Sequence, residues 1–200
     1  MNHESAFRAI ALANLALCLP IGLYYRIRSQ AGGEPLDRRQ EGLVILIGLR
    51  LSGVLAWVAY FAYLLDASWI SRSSVALPLG LRWTGAALAL FVVPPLLYWT
   101  FSTLGKNLTD TVVTRREHAL VTVGPYRWVR HPFYVVVFLW GLSLSLLSAN
   151  GLIAITGGLA LTMIYFRTRI EEAKLADRFG DDYRAYAART GRFFPRLFAS

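Results

Sequence analysis

The chain has 200 residues, of which 56% are hydrophobic and only 16% are charged, and its mean hydropathy is +0.44. Soluble domains average about 25% charged residues, so this composition argues against a disordered chain and against a freely soluble enzyme. The formal net charge is +9, but the basic residues flank long apolar runs, which fits an anionic membrane surface better than nucleic acid.

Four apolar runs predict membrane-spanning helices, because about 20 apolar helical residues are needed to cross a bilayer core. The runs are Ala9–Tyr25, Leu43–Leu65, Trp83–Leu104 and Pro132–Phe166. Backbone groups in lipid must be satisfied within the segment, so each run is expected to be helical. We expect the first run to be retained as a span, because no small-residue cleavage motif follows it as in a signal peptide.

The fourth run is too long for one crossing, and the turn signature Ser148–Gly151 lies near its middle. It is therefore predicted to form two short helices in a tight hairpin. Apolar residues at steps of three or four predict a further helix over Glu171–Ala188, along the membrane surface. The predicted fold is an all-α integral membrane protein with about five transmembrane helices, the last two a tight hairpin, and a cytoplasmic C-terminal helix.

Lys and Arg residues concentrate on one predicted side of the membrane, and the positive-inside rule assigns that side to the cytoplasm. Seventeen of the 21 lie after the first span, after the third span or from Arg167 onward. This pattern predicts an N-terminus outside and a site on the cytoplasmic side, in the inner or cytoplasmic membrane if the chain is prokaryotic. We divide the chain into three N-terminal helices, residues 1–104, and a region that carries the chemistry, residues 105–200.

Polar residues suited to chemistry lie at the two cytoplasmic ends of the predicted hairpin. At one end, Pro132 suits the first turn of a helix, whose N–H groups and dipole attract anions, and Arg130 and His131 lie beside it. At the other end, Arg167 and Glu171 are four residues apart and share one helix face. The alternatives are an interfacial belt of Arg, Trp and Tyr and an ordinary surface ion pair.

Standard catalytic motifs are absent from the sequence, which has no G-x-S-x-G, H-E-x-x-H, Walker or Rossmann glycine motif. Its three histidines, His3, His118 and His131, are too scattered to predict a metal site. The single cysteine, Cys18, excludes an internal disulfide and a multi-cysteine metal site. We therefore expect neither a metal nor a nucleic-acid partner.

Several short motifs occur in a characteristic order between Leu104 and Pro195. They are Leu104–Asn107, the H-x-L-V of His118–Val121, Gly124–Tyr126, Arg130–Tyr134, Arg167 with Glu171-Glu172, Phe179–Tyr183 and Thr190–Pro195. In these motifs the chain resembles the isoprenylcysteine carboxyl methyltransferase family in its prokaryotic form, which is related to the phospholipid N-methyltransferases. The earlier spans match that family only as generic hydrophobic helices.

The resemblance implies a membrane-embedded methyltransferase that uses S-adenosylmethionine. Its acceptor would be a carboxylate, as in isoprenylcysteine, or another polar head of a lipophilic or lipid-modified molecule, and membrane lipids would be its other partners. The residues implied in cofactor binding are His118, Ala119, Leu120, Val121, Tyr126, His131, Pro132, Phe133, Tyr134 and Glu171. Arg167 and Glu171 are the expected catalytic residues, and Arg167 and Arg130 are the expected substrate-binding residues.

The sequence also leaves some alternatives open. Val136 stands where many relatives carry Gly, two residues after the tyrosine of the R-H-P-x-Y motif, which raises the question of a reshaped pocket. A carboxylate acceptor needs orientation by Arg167, whereas an amine acceptor needs a base, for which His131 and Glu171 are candidates. Two other classes are an NADPH-dependent membrane reductase related to the sterol reductases and a non-catalytic membrane protein on the same scaffold.

Overall fold

The computed structural model describes residues 3–30, 43–105 and 120–196. Within these residues the chain forms α-helices at α1 His3–Gln30, α2 Leu43–Leu64, α3 Leu79–Ala87, α4 Val93–Leu104, α5 Pro132–Ser148 and α6 Gly151–Arg189. A π-helical turn, Leu88–Val92, joins α3 directly to α4, so that these two helices form one continuous rod.

The helices reproduce the apolar runs of the sequence. Four units are long and apolar enough to cross a membrane, namely α1, α2, the α3–α4 rod and α6, while α5 is apolar but only 17 residues long. Together they confirm the prediction of an all-α membrane protein whose last two helices form a hairpin. The protein is thus an integral membrane protein.

The hairpin turn follows from two residues of the predicted turn signature. Ala149 adopts a left-handed conformation with φ of 48°, which ends α5. Asn150 then caps α6, because its side-chain oxygen accepts hydrogen bonds from the N–H groups of Leu152 and Ile153. The amide of Asn150 also donates to the carbonyl of Ile70 at 2.8 Å, which anchors the turn to the segment after α2.

Helix α6 is longer than the sequence predicts. A separate helix was expected over Glu171–Ala188, but α6 continues from Gly151 through Arg167 and Glu171 to a kink at Gly180 and then on to Arg189, so the C-terminal helix continues the second arm of the hairpin. From Arg167 onward the helix carries charged residues instead of apolar ones. Its backbone hydrogen bonding continues, since Arg and Glu are good helix formers. The helix bends at Gly180, where φ is 53°.

The α3–α4 rod is distorted just before Pro94-Pro95, because proline removes a helical hydrogen bond. The π turn at Leu88–Val92 is the observed form of this distortion. Within that turn, the carbonyl of Ala89 accepts a hydrogen bond of 2.6 Å from the fully buried amide of Asn14 on α1. Asn14 therefore joins α1 to the α3–α4 rod by an interhelical hydrogen bond.

The helix ends form two polar faces. On one face, Glu4 pairs with Arg82 at 2.7 Å and Arg8 pairs with Asp66 at 2.5 Å, which ties the start of α1 to the end of α2 and the start of α3. The hairpin turn lies on this face, because the Nε of Arg82 donates to the carbonyl of Leu147. The start of α5 and the charged half of α6 lie at the opposite face, where most of the predicted site residues are found.

Candidate active site

Two separate motifs meet where the start of α5 contacts α6. The hydroxyl of Tyr134 donates to Oε2 of Glu171 at 2.8 Å, and Nε2 of His131 lies 3.2 Å from Oε1 of Glu172. Nδ1 of His131 lies 3.8 Å from Oε2 of Glu171. The rings of His131 and Tyr134 are stacked, with centroids 5.4 Å apart, and both side chains are buried. Residues that are 37 to 41 positions apart in sequence thus form one cluster.

The backbone at the start of α5 holds His131 at the edge of this cluster. His131 occupies the N-cap position, but its side chain makes no capping bond and contacts α6 instead. Pro132 opens the first turn, as predicted. The N–H of Val135 makes the first regular helical bond, to the carbonyl of His131. The N–H of Tyr134 donates to the same carbonyl, so one of the donors that an anion site at this helix start would use is already engaged.

Glu172 is the most heavily bonded residue of the cluster. Its Oε1 accepts from Nε of Arg130 at 2.9 Å and from Nε of Arg192 at 3.1 Å, and its Oε2 accepts from Nη2 of Arg192. Glu172 lies beyond the apolar arm of α6. Burial raises the pKa of Glu172, but the hydrogen bonds from His131, Arg192 and Arg130 outweigh it and hold that pKa well below its usual range. Glu172 is therefore an ionised acceptor at neutral pH.

Arg130 is engaged by protein groups on two sides. Besides Glu172, its Nη1 donates to the carbonyls of Ala187 and Thr190 at the end of α6, the first at 3.0 Å. A cation is favourable at this position because the last carbonyls of a helix carry partial negative charge. The side chain of Arg130 is only 12% exposed. Arg130, which the sequence assigns to substrate binding, thus joins the start of α5 to Glu172 within α6 and to the carbonyls at the end of α6.

The segment after α6, residues 190–196, folds back along the start of α5, and we call it the return segment. The N–H of Arg130 donates to the carbonyl of Gly191 at 2.8 Å, and the N–H of Gly191 donates to the carbonyl of Trp128 at 3.3 Å. A side chain at Gly191 has no room, since a Cβ there would lie 1.6 Å from the carbonyl oxygen of Phe194. The ring of Phe193 lies 5.9 Å from that of His131. This return segment fixes the backbone of the Arg130–Tyr134 motif.

The other residues implied in cofactor binding differ in their surroundings. Tyr126 is buried in a short 3-10 turn, and its carbonyl accepts from the hydroxyl of Tyr186 at 2.7 Å. Phe133 stacks on Phe101 of α4 with ring centroids 5.2 Å apart, so its ring takes part in helix packing. Leu120 and Val121 are half-buried just before that turn. His118 and Ala119 lie outside the described residues.

Arg167 is half-buried on α6, one helical turn before Glu171. Because the helix continues through both residues, they lie on the same side of it, as their spacing predicts. Among the residues that the structure describes, no group of three or more His, Cys, Asp or Glu side chains is placed to hold a metal ion.

Val136 lies on the side of α5 away from Tyr134, because residues two positions apart in a helix point in nearly opposite directions. It is fully buried in a cluster of apolar side chains from α1 and α4. The members of that cluster are Cys18, Tyr25, Val93, Leu97 and Phe101. Val136 therefore contributes to packing between helices, and its side chain does not enter the His131–Glu171 cluster.

Comparisons with known proteins concern the same part of the chain. Residues 86–177 match the sequence model of the isoprenylcysteine carboxyl methyltransferase (ICMT) family. The protein-S-isoprenylcysteine O-methyltransferase of Schizosaccharomyces pombe is 37% identical over 97 residues, which are 46% of this chain and 41% of that protein. Residues 86–177, which we call the ICMT segment, are thus similar to this family over just under half of the chain. The members of the cluster on α5 and α6 all lie within this ICMT segment, whereas Arg192 lies beyond it.

The resemblance extends to the fold and to a bacterial relative. The solved structure of the eukaryotic intramembrane Ras methyltransferase ICMT is similar with a TM-score of 0.52 and 25% identity, and the match covers 74% of this chain and 52% of that chain. The nickel-cobalt-cadmium resistance protein NccN of Alcaligenes xylosoxydans xylosoxydans is 33% identical over 116 residues, 58% of this chain and 53% of that protein. These matches thus span about half the length of the relatives, or less.

Sequence reasoning gave no role to two residues of the cluster, Glu172 and Arg192. Both stand in motifs that carry the resemblance, so the signal was their place in the motifs. Helical periodicity relates residues three or four positions apart, whereas Glu172 contacts Arg130 and Arg192 at separations of 42 and 20 residues. Contacts of that length depend on how α5, α6 and the return segment pack.

Proposed function

We propose that this protein is a membrane methyltransferase that uses S-adenosylmethionine and methylates the carboxylate of a lipophilic, isoprenylcysteine-like acceptor. The observation that carries the proposal is the meeting of buried His131 and Tyr134 with half-buried Glu171 in one cluster inside the ICMT segment. The names of relatives such as the Schizosaccharomyces pombe enzyme support methyl transfer to isoprenylcysteine.

The side chains of the cluster suit the polar groups of this methyl donor, which carries an ammonium, a carboxylate and two ribose hydroxyls. Glu171 offers carboxylate oxygens that accept from ammonium or hydroxyl groups, and Tyr134 already holds one of these oxygens in place. The family resemblance adds further residues to those proposed to hold the donor, namely Leu120, Val121, Tyr126, Pro132 and Phe133, together with His118 and Ala119, which lie outside the described residues. When bound, the sulfonium of the donor supplies an electrophilic methyl group.

The chain's own residues have to orient the acceptor and exclude water, because positioning supplies most of the rate in a direct displacement. A carboxylate acceptor is already ionised at neutral pH and needs no base. Arg167 would hold it through its guanidinium, one turn from Glu171. Arg130 would position the cluster through Glu172 and the end of α6. With an amine acceptor, His131 or Glu171 would have to receive the proton instead.

The site is proposed to face the cytoplasm, with the N-terminus outside. The start of α5 and the charged half of α6 lie at the end of the bundle that carries most of the Lys and Arg residues within the described ranges. A cytoplasmic donor would then reach the cluster from water, and a lipophilic acceptor would reach it from the bilayer.

The purified protein in detergent or lipid is expected to bind labelled S-adenosylmethionine, with competition by S-adenosylhomocysteine, and to bind NADPH no better than an unrelated membrane protein does. Equilibrium binding with both labelled compounds makes this comparison. Binding of NADPH in place of S-adenosylmethionine would indicate a reductase, and binding of neither would indicate a scaffold without this activity. Either result refutes the proposed function.

A further inference from the structure

The imidazole of His131 lies between two carboxylates with different surroundings. Its Nε2 is 3.2 Å from Oε1 of Glu172, and its Nδ1 is 3.8 Å from Oε2 of Glu171. The side chain of His131 is only 5% exposed, so protein groups and not bulk water decide which ring nitrogen carries a proton. A neutral imidazole has one donor nitrogen and one acceptor nitrogen, and its hydrogen-bond partners select between the two forms.

The carboxylate that faces Nε2 can act only as an acceptor. Glu172 also receives hydrogen bonds from Arg130 and Arg192, and these two cations keep it ionised even though its side chain is only 14% exposed. An ionised carboxylate has no proton to donate. The nitrogen that faces Glu172 must therefore be the donor, whether the imidazole is neutral or charged.

We propose that Glu172 is a positioning residue that keeps a proton on Nε2 of His131, so that Nδ1 is the one ring position at which a proton is gained or lost. Nδ1 faces Glu171, the carboxylate proposed to bind the methyl donor, and this part of the inference rests on the proposed function. Tyr134 stacks on the ring, and Arg130 and Arg192 contact Glu172. The hydroxyls of Tyr126 and Tyr183 lie within electrostatic range of Glu171, and that of Tyr183 also of Glu172.

This arrangement assigns different roles to the two neighbouring glutamates. Glu171 accepts a hydrogen bond from Tyr134, and it is the glutamate that the methyl donor or the methyl acceptor can contact. Glu172 is enclosed by Arg130, His131 and Arg192, so that it acts on the reaction through His131 and not by direct contact. If an acceptor has to lose a proton, the base is Nδ1 of His131.

The inference is tested by nitrogen NMR of protein with 15N-labelled histidine, in which the ring signals of His131 are identified by their loss in His131→Asn. The neutral ring of the unchanged protein is expected to show a protonated Nε2 and an unprotonated Nδ1. Glu172→Gln is expected to shift the Nδ1 signal toward the protonated range, since the Gln amide can donate to Nε2. Glu172→Asp, which retains the carboxylate, is expected to restore part of the original pattern.

Glu171→Gln is the matched control, because it removes the same charge from the adjacent residue and should leave the proton on Nε2. A neutral ring with its proton on Nδ1 in the unchanged protein would overturn the inference, as would a tautomer shift in Glu171→Gln that is absent from Glu172→Gln. Addition of S-adenosylmethionine separates this inference from the proposed function. Failure of donor binding refutes that function and leaves the tautomer result unaffected, whereas the wrong tautomer with intact donor binding refutes only the inference.

Discussion

Glu171→Gln is expected to lower the affinity for S-adenosylmethionine by about 10- to 100-fold, because a hydrogen bond to a charged group contributes about 1.5–3 kcal/mol. Glutamine keeps the size of the side chain and an oxygen that can accept from the hydroxyl of Tyr134, which donates at 2.8 Å in the structure. It removes the negative charge that an ammonium group of the donor needs. Equilibrium binding of the labelled donor to the purified variant measures the loss.

Asp177→Asn is the control for this variant. Asp177 is an exposed acidic residue on the same helix, so the substitution makes the same change in net charge away from the cluster. Its donor affinity is expected to equal that of the unchanged protein. Equal affinity in Glu171→Gln as well would show that Glu171 does not bind the donor.

Substitution of Arg130 by Leu is expected to destabilise the protein by about 3 kcal/mol, the lower end of what removing one partner of a buried ion pair costs. Arg130 and Glu172 are 12% and 14% exposed, and the change also leaves the carbonyls of Ala187 and Thr190 without their donor. The lower end of that range applies because Glu172 retains its hydrogen bonds with His131 and Arg192. Thermal unfolding in one detergent, monitored by helical circular dichroism, measures the change.

Arg127→Leu serves as the comparison for Arg130. Arg127 is exposed, and its guanidinium lies 3.9 Å from the centre of the Trp128 ring, so its loss is expected to cost only about 0.5–1 kcal/mol. The comparison also separates two roles of Arg130. A substrate-binding arginine would raise KM without changing the unfolding midpoint, and that outcome would contradict the positioning role described above.

Hydropathy was sufficient to predict most of the fold, because a span must be apolar over its whole length and must satisfy its own backbone. The hairpin was predictable because the Ser148–Gly151 turn signature divides an apolar run that is too long for one crossing. The π turn at Leu88–Val92 was not predictable beyond the neighbouring proline pair. The continuity of α6 past Arg167 was missed because a change from apolar to charged residues resembles a helix boundary, although it marks only a change of surroundings.

The candidate site was predictable in part. The i, i+4 spacing of Arg167 and Glu171 and the helix start at Pro132 located both halves of the cluster. The different contacts of Glu171 and Glu172 could not be predicted from sequence, because adjacent residues of a helix face different neighbours. The neighbours of Glu172 come from the start of α5 and from the return segment. The hydrogen bonds from Arg130 to Glu172 and to the end of α6 were likewise not predictable from its place beside His131, and its assignment to substrate binding stays a prediction.

The most direct test of the methyltransferase function is methyl transfer itself. The purified protein in lipid vesicles is incubated with methyl-labelled S-adenosylmethionine and a small prenylcysteine analogue, with the same analogue blocked at its carboxylate as the control. The proposed function predicts a labelled, base-labile methyl ester on the free carboxylate, identified by mass spectrometry, and none on the blocked analogue. Protein that binds the donor but labels neither the analogue nor any component of a lipid extract would contradict it.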